Sequence, residues 1–164
     1  PCSAACRPFG VRRNRTENLF TQMKIVDINL LIYAINKDTP HHIKAKKWLE
    51  DCLSGDETLG FAWIVILGFL RIVTNGRIMP TPLMPEIAIE CVNDWLQQPP
   101  SVTVVPSYQH WSIYKELLIP LGTAANLTSD AHLAALAIEH GARLYSTDND
   151  FSRFHSLRWT NPVE

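Results

Sequence analysis

Four aspartates are spaced so that a metal-assisted hydrolytic centre could be built from them. Asp27 follows the short apolar run Lys24-Ile25-Val26, and Asp148 follows shortly after Arg143-Leu144-Tyr145-Ser146. Asp150 stands two residues beyond Asp148, and Asp130 falls in the first turn expected of a helix that leads into the second run. Both runs read as strands, and in open parallel sheets ligands bind outside the carboxyl ends of the strands. If the segment after Asp148 is extended, the Asp148 and Asp150 side chains leave on the same side. Two carboxylates ~5 Å apart at an effective dielectric near 20 repel by about 3 kcal/mol, so three or four together call for protonation or a hard cation. Oxygen-only ligands suit magnesium or manganese. Such a cation activates water and stabilises charge on a phosphate oxygen. Each acid taken singly also has an ordinary reading. Asp148-Asn149-Asp150 could form a turn, Asp130 could favour a helix start, and Asp27 could cap the helix after it. Together, with two acids at strand ends, they point to a metal site.

The elements that must position these acids alternate in type. Strands are expected at 24–26, 58–61, 102–105 and 143–146, with a last edge strand at 157–160. Helices are expected at 30–34, from Pro40 to Leu53, at 63–74, 86–97 and 108–118, and from Asp130 to about His140 with Ser129 as its cap. Ile43, Ala45, Trp48, Leu49, Cys52 and Leu53 form the apolar face of the second helix, and Ile87, Cys91, Val92, Trp95 and Leu96 that of the fourth. The stretch Trp63–Thr74 is apolar on most sides, as in a helix buried against a sheet. Asn75-Gly76, Pro99-Pro100 and Pro120 mark stops, and Gly141 suits the end of the Asp130 helix. Strands alternating with helices predict an α/β fold with a mainly parallel sheet.

Composition limits the function classes. The chain has 164 residues, 46% hydrophobic and 19% charged, which fits one ordered domain. No apolar run approaches the ~18 residues of a membrane span. Residues 1–22 differ from the rest. They hold four of the 15 basic residues and one of the 16 acidic ones, and they lack an apolar signal core. Glu17-Asn18-Leu19-Phe20-Thr21-Gln22 resembles a degraded protease site ahead of Met23, so 1–22 reads as a vector-derived leader, non-native or disordered, with a native basic tail as the alternative. The domain proper is then 23–164. It carries 11 basic and 15 acidic residues, a net charge of −4. That balance lacks the basic footprint usual in nucleic-acid binders, so any phosphate contact must come from local basic residues or bound cations. Cys2 and Cys6 fall in the leader, while Cys52 and Cys91 sit on apolar helix faces. Their spacing matches no zinc or disulfide framework, and buried free thiols in a reducing cytoplasm are expected.

Four segments resemble, in order and spacing, the motifs of PIN domains, and of their VapC toxin branch in particular. Ile25-Val26-Asp27-Ile28-Asn29-Leu30-Leu31-Ile32-Tyr33-Ala34 resembles the opening motif, and Phe69-Leu70-Arg71-Ile72-Val73-Thr74-Asn75 the middle segment. Asp130-Ala131-His132-Leu133-Ala134-Ala135-Leu136-Ala137 resembles the third motif, and Ser146-Thr147-Asp148-Asn149-Asp150-Phe151 the fourth. The resemblance implies a three-layer α/β/α sandwich and Mg2+- or Mn2+-dependent hydrolysis of RNA phosphodiesters. It also implies a VapB-like antitoxin that blocks the site, and a homodimer. By motif match Asp27, Asp130 and Asp148 are catalytic metal-site acids, and Asp150 is an auxiliary metal acid. Asn29 and Thr147 orient carboxylates or water. One departure stands out: Gly68 occupies the position where such domains carry a glutamate, and no acid occurs from Gly60 to Pro85.

Two other readings compete. A PIN-type module that lost its chemistry with that glutamate would bind RNA or protein without cutting. An aspartyl phosphatase wants a second acid two residues after Asp27, where Asn29 stands. Arg71 and Arg77 are candidates for phosphate contact, since the guanidinium fork matches phosphate oxygens. His132 is expected to be packed or surface-facing rather than a ligand, and His41, His42 and His140 solvated. The helix faces near Trp48, Trp95 and Trp111 read as core, with room for a partner groove among them.

Overall fold

The computed structural model describes residues 23–164, so the proposed leader and its two cysteines lie outside the described residues. Five strands form one sheet: β1 (Lys24–Val26), β2 (Leu59–Ala62), β3 (Ser101–Val104), β4 (Arg143–Tyr145) and β5 (Trp159–Thr160). Their order is β3-β2-β1-β4-β5, and every pair is parallel. Six α-helices flank it: α1 (Ile28–Ile35), α2 (His42–Leu53), α3 (Trp63–Val73), α4 (Pro85–Leu96), α5 (His110–Leu118) and α6 (Leu127–Glu139). The three-layer expectation holds.

Chain direction explains both the layers and the site. From β1 the sheet grows outward through β2 to β3, then returns to the far side of β1 with β4. Because parallel crossovers are right-handed, reversing the direction of travel moves the connecting helices to the opposite face. The reversal leaves a crevice between the carboxyl ends of β1 and β4, the place where such sheets bind ligands. Ile25 pairs with Leu144 and Val26 with Tyr145, so Asp27 emerges beside Ser146. The Asp27 N–H donates to the Tyr145 carbonyl at 3.0 Å, which ties the two strand ends together.

Central strands are covered on both faces and read as continuous apolar runs. All four residues of β2 are buried, as are Ile25, Val26 and Leu144. Trp95 stacks on Phe61 and meets Phe69 edge-on, and Trp48 packs on Tyr145, so these two tryptophans belong to the core. Trp111 does not: it is 65% exposed.

Several expectations change. Helix α6 begins at Leu127 after Asn126, so Ser129 is its third residue and not its cap. Thr128-Ser129-Asp130 has cap composition, but the turn Ala124–Leu127 already starts the helix one turn earlier. Ile43 and Ile87 are exposed, and Ala88 and Val92 carry the buried face of α4. Helix α3 is buried along Val65, Ile66, Phe69 and Val73, yet Trp63 and Leu67 face outward. His42 is half-buried, with its Nδ1 3.0 Å from the Tyr33 carbonyl. His140 is exposed, and its Nε2 lies 3.0 Å from the Val105 carbonyl. Cys52 is a buried free thiol and Cys91 a half-buried one. No helix among the described residues is long and apolar enough to cross a membrane.

Candidate metal centre

Asp27 caps α1 with an extended backbone. One carboxylate oxygen accepts from the Ile28 N–H at 2.7 Å, and the other accepts from Asn29 Nδ2 at 2.9 Å and Ser146 Oγ at 2.6 Å. The expected cap and the expected site residue are therefore one and the same side chain. Asp27 is only 7% exposed, and burial pushes its pKa up to about 6 against its hydrogen bonds from Ser146 and Ile28, with the Asp148 charge adding to the rise.

Asp148 and Asp150 come from the turn after β4. Asp148 caps the short 3-10 turn Asn149–Arg153 by accepting from the Asp150 N–H at 2.9 Å. The two acids are thus brought together by a turn rather than by an extended segment. The ordinary turn reading is correct as local structure, and it also delivers the acids to the crevice. Asp130 reaches them from the first turn of α6. Carboxylate oxygens of Asp130, Asp148 and Asp150 lie within 4.8 Å of one another. Burial, and then the charges of Asp148, Asp27 and Asp150, push the Asp130 pKa up to about 6. Asp27 stands outside that trio but within reach of its field.

Among the described residues no ion pair reaches Asp27, Asp130 or Asp148, and Asp150 has only Arg153 at 3.8 Å. An all-oxygen donor set with unneutralised negative charge suits a hard divalent cation. The residues present therefore fit the metal implied by the resemblance.

Asn29 Nδ2 donates to Asp27 Oδ2 at 2.9 Å. Thr147 contributes through its backbone, whose N–H points at Asn29 Oδ1 at 3.4 Å. The residue missed from sequence is Ser146. It is fully buried, and its hydroxyl donates to Asp27 while accepting from Asn29 Nδ2 and from the Asp148 N–H, both at 2.9 Å. One hydroxyl thus joins the ends of both strands. The available signal was a small polar residue in phase with buried Leu144 at a strand end. His132 points away from the crevice network, with its Nδ1 2.8 Å from His110 Nε2, whose ring in turn meets Glu139 at 2.8 Å.

A cleft opens beside the acids. It is lined by Asp27 and Asp130, by Ile28, Ile64, Gly68 and Leu133, and by Arg71. Arg77 lies in the turn after α3, its N–H held by Asn75 Oδ1 at 2.9 Å.

The sequence pattern of the PIN domain family matches residues 24–156. Ribonuclease VapC37 of Mycobacterium tuberculosis is 48% identical over 140 residues, 85% of this chain and 97% of that protein. The chain belongs to the VapC branch of the PIN domain family. A second relative, Ribonuclease VapC33 of the same organism, is 42% identical over 141 residues, covering 86% of this chain and 99% of its own. Solved structures share the PIN fold at lower identity. The VapBC2 structure from Rickettsia felis, bound to a promoter DNA fragment, superposes with a TM-score of 0.65 at 21% identity, covering 85% of this chain and 98% of the other. VapC20 of Mycobacterium tuberculosis, described as a sarcin-ricin loop cleaving toxin, gives 0.60 at 17% identity over 82% of this chain and 98% of the other.

Proposed function

We propose that this VapC-family chain is a metal-dependent endoribonuclease toxin of a toxin–antitoxin pair. In this reading Asp27, Asp130 and Asp148 hold Mg2+ or Mn2+, with Asp150 as an auxiliary acid. The observation that carries it is the cluster of Asp130, Asp148 and Asp150 oxygens beside buried Asp27, in which the Arg153–Asp150 pair at 3.8 Å is the one ion pair among the described residues. The bound cation supplies Lewis acidity toward a phosphate oxygen and toward water. Ser146 and Asn29 hold the Asp27 carboxylate in one orientation, and the Thr147 backbone fixes Asn29 in turn. Exposed Arg71 offers a guanidinium to a neighbouring phosphate, which lets an acidic domain engage a polyanion.

Support for the substrate class comes from the relatives named as ribonucleases. A VapB-like antitoxin fits the solved VapBC assemblies and the apolar side chains that α3 and α4 leave exposed, Trp63, Leu67, Ile87 and Ile89. A homodimer fits the outward apolar side chains of Trp111 and Ile119. The buried free thiol of Cys52 fits the cytoplasm.

The test is incubation of the purified chain with total RNA and Mn2+, beside Asp27→Asn and Asp148→Asn. The wild type is expected to cut and each variant to be slower by about 100-fold or more, at least what losing a supporting residue of a metal site costs. Equal cutting by all three proteins would refute the reading.

A further inference from the structure

The Gly68 position is more than a missing acid. Ile64, Gly68 and Arg71 are spaced i, i+4 and i+7 along α3, so they share one face of the helix. Across from them stand Ile28, directly after Asp27, and Leu133, one turn after Asp130. Gly68 and Ile28 touch, and with Ile64 and Leu133 they give one slot its apolar lining, beside the polar lining of Asp27, Ser129, Asp130 and Arg71. A Cβ at position 68 would come within 2.7 Å of Ile28 Cδ1. Any larger residue there must therefore displace the end of the Ile28 side chain, which also lines the slot. Gly68 keeps it open, although glycine is a poorer helix former than alanine.

We propose that this slot, walled by Ile28, Ile64, Gly68 and Leu133, receives one unstacked nucleobase of the substrate next to the scissile phosphate, and that Gly68 sets which bases fit. The proposal rests on the ribonuclease reading above for its substrate. Three features select a nucleobase. The walls are aliphatic and suit the apolar faces of a base. The polar lining includes Ser129, which offers a hydroxyl to a base edge or a ribose hydroxyl. The slot is continuous with the acids, and Arg71 on its lining carries a charge complementary to the adjoining phosphate. Sequence-selective RNA recognition commonly works this way, on bases splayed out of the stack.

Two measurements test it together. In methyl NMR of the wild-type protein, titration with nucleoside 5′-monophosphates is expected to shift the Ile28, Ile64 and Leu133 methyls saturably, while ribose 5-phosphate leaves them in place. Silent methyls with every nucleotide would overturn the proposal, even if the protein cuts RNA. Responding methyls in a protein that cuts no RNA would support the slot and refute the ribonuclease reading instead. In the second measurement, cut sites in a random-sequence RNA pool are mapped for wild type, Gly68→Ala and Ile28→Val. Narrowing the slot by one methyl in Gly68→Ala is expected to change base preference at a single position beside the cut by about tenfold or more, the usual worth of one methylene in a snug pocket. Ile28→Val widens the slot and is expected to relax the same position. Cut-site preferences identical in all three proteins would overturn the proposal.

Discussion

Strand β1 is three residues long, and its two ends treat charge in opposite ways. At the amino end Lys24 pairs with Glu57 at 2.5 Å, approaches Cys52 Sγ at 3.7 Å, and lies 5.9 Å from the centre of the Tyr145 ring. Burial works against its charged form, but the Glu57 bond and nearby negative groups more than offset this and raise its pKa. At the carboxyl end Asp27 is more deeply buried, faces other acids, and pairs with no cation among the described residues. Folding alone would favour neutralising both ends. Only one is neutralised by the protein, so the other is where a bound cation would complete the structure. Unneutralised buried charge beside a crevice is a signature of a functional site.

The largest effect that could break this contrast is on stability against pH. The folded Asp27 pKa stands near about 6 against an ordinary 3.8, so in the metal-free protein the folded state binds the Asp27 proton more tightly than the unfolded state does. The Asp27 contribution to stability is therefore greatest below about pH 4 and falls as pH rises through about 6, by about 3 kcal/mol. Asp130 acts in the same direction, and Glu139, whose pKa is lowered, acts in the opposite one. Urea unfolding of wild type and Asp27→Asn in chelator, from pH 4.5 to 7.5, isolates the Asp27 part. The wild type is expected to lose more stability over that range than the variant, and saturating Mn2+ is expected to shrink the difference. Parallel curves in chelator would mean that Asp27 is not frustrated.

Ser146→Ala sharpens the contrast next. It removes the donor to Asp27 and leaves the Asp148 N–H and Asn29 without their shared acceptor. Metal affinity or RNA cleavage is expected to fall about 10- to 100-fold, the usual cost of losing an orienting partner behind a metal ligand. Calorimetry with Mn2+ and cleavage rates check this, and Ser146→Thr, if it packs, should recover part of the loss. The smallest effect belongs to the other end. Lys24→Met is expected to cost at most about 1 kcal/mol in urea unfolding, as is usual for a pair with an exposed partner, and to leave RNA cleavage unchanged.

The same two ends show what the sequence makes legible. Apolar runs ending in Asp27 and shortly before Asp148 located the two strands, and binding at the carboxyl ends of parallel strands pointed to the site. The fold order followed from alternating periodicities. Ser146 was not identified because the local pattern marks only a small polar residue at a strand end, while its partner Asp27 lies 119 residues away. The His110–His132 contact was invisible for the same reason. Helix α3 was read as apolar on most sides and buried against the sheet, but composition reports that a side chain is apolar, not whether anything covers it. The start of α6 was misplaced because Thr128-Ser129-Asp130 offers cap chemistry one turn inside the helix. Gly68 was seen only as an absent carboxylate. Its contact with Ile28 gives that position a shape of its own.

The central claim is that the acids at the carboxyl ends of β1 and β4 form a cation site. Titration of the chelator-stripped protein with Mn2+, followed by the loss of the free-ion electron paramagnetic resonance signal, tests it directly. The wild type is expected to take up Mn2+ saturably, and Asp148→Asn to bind more weakly by about tenfold or more. Equal uptake by the two proteins, or none by the wild type at millimolar Mn2+, would contradict it.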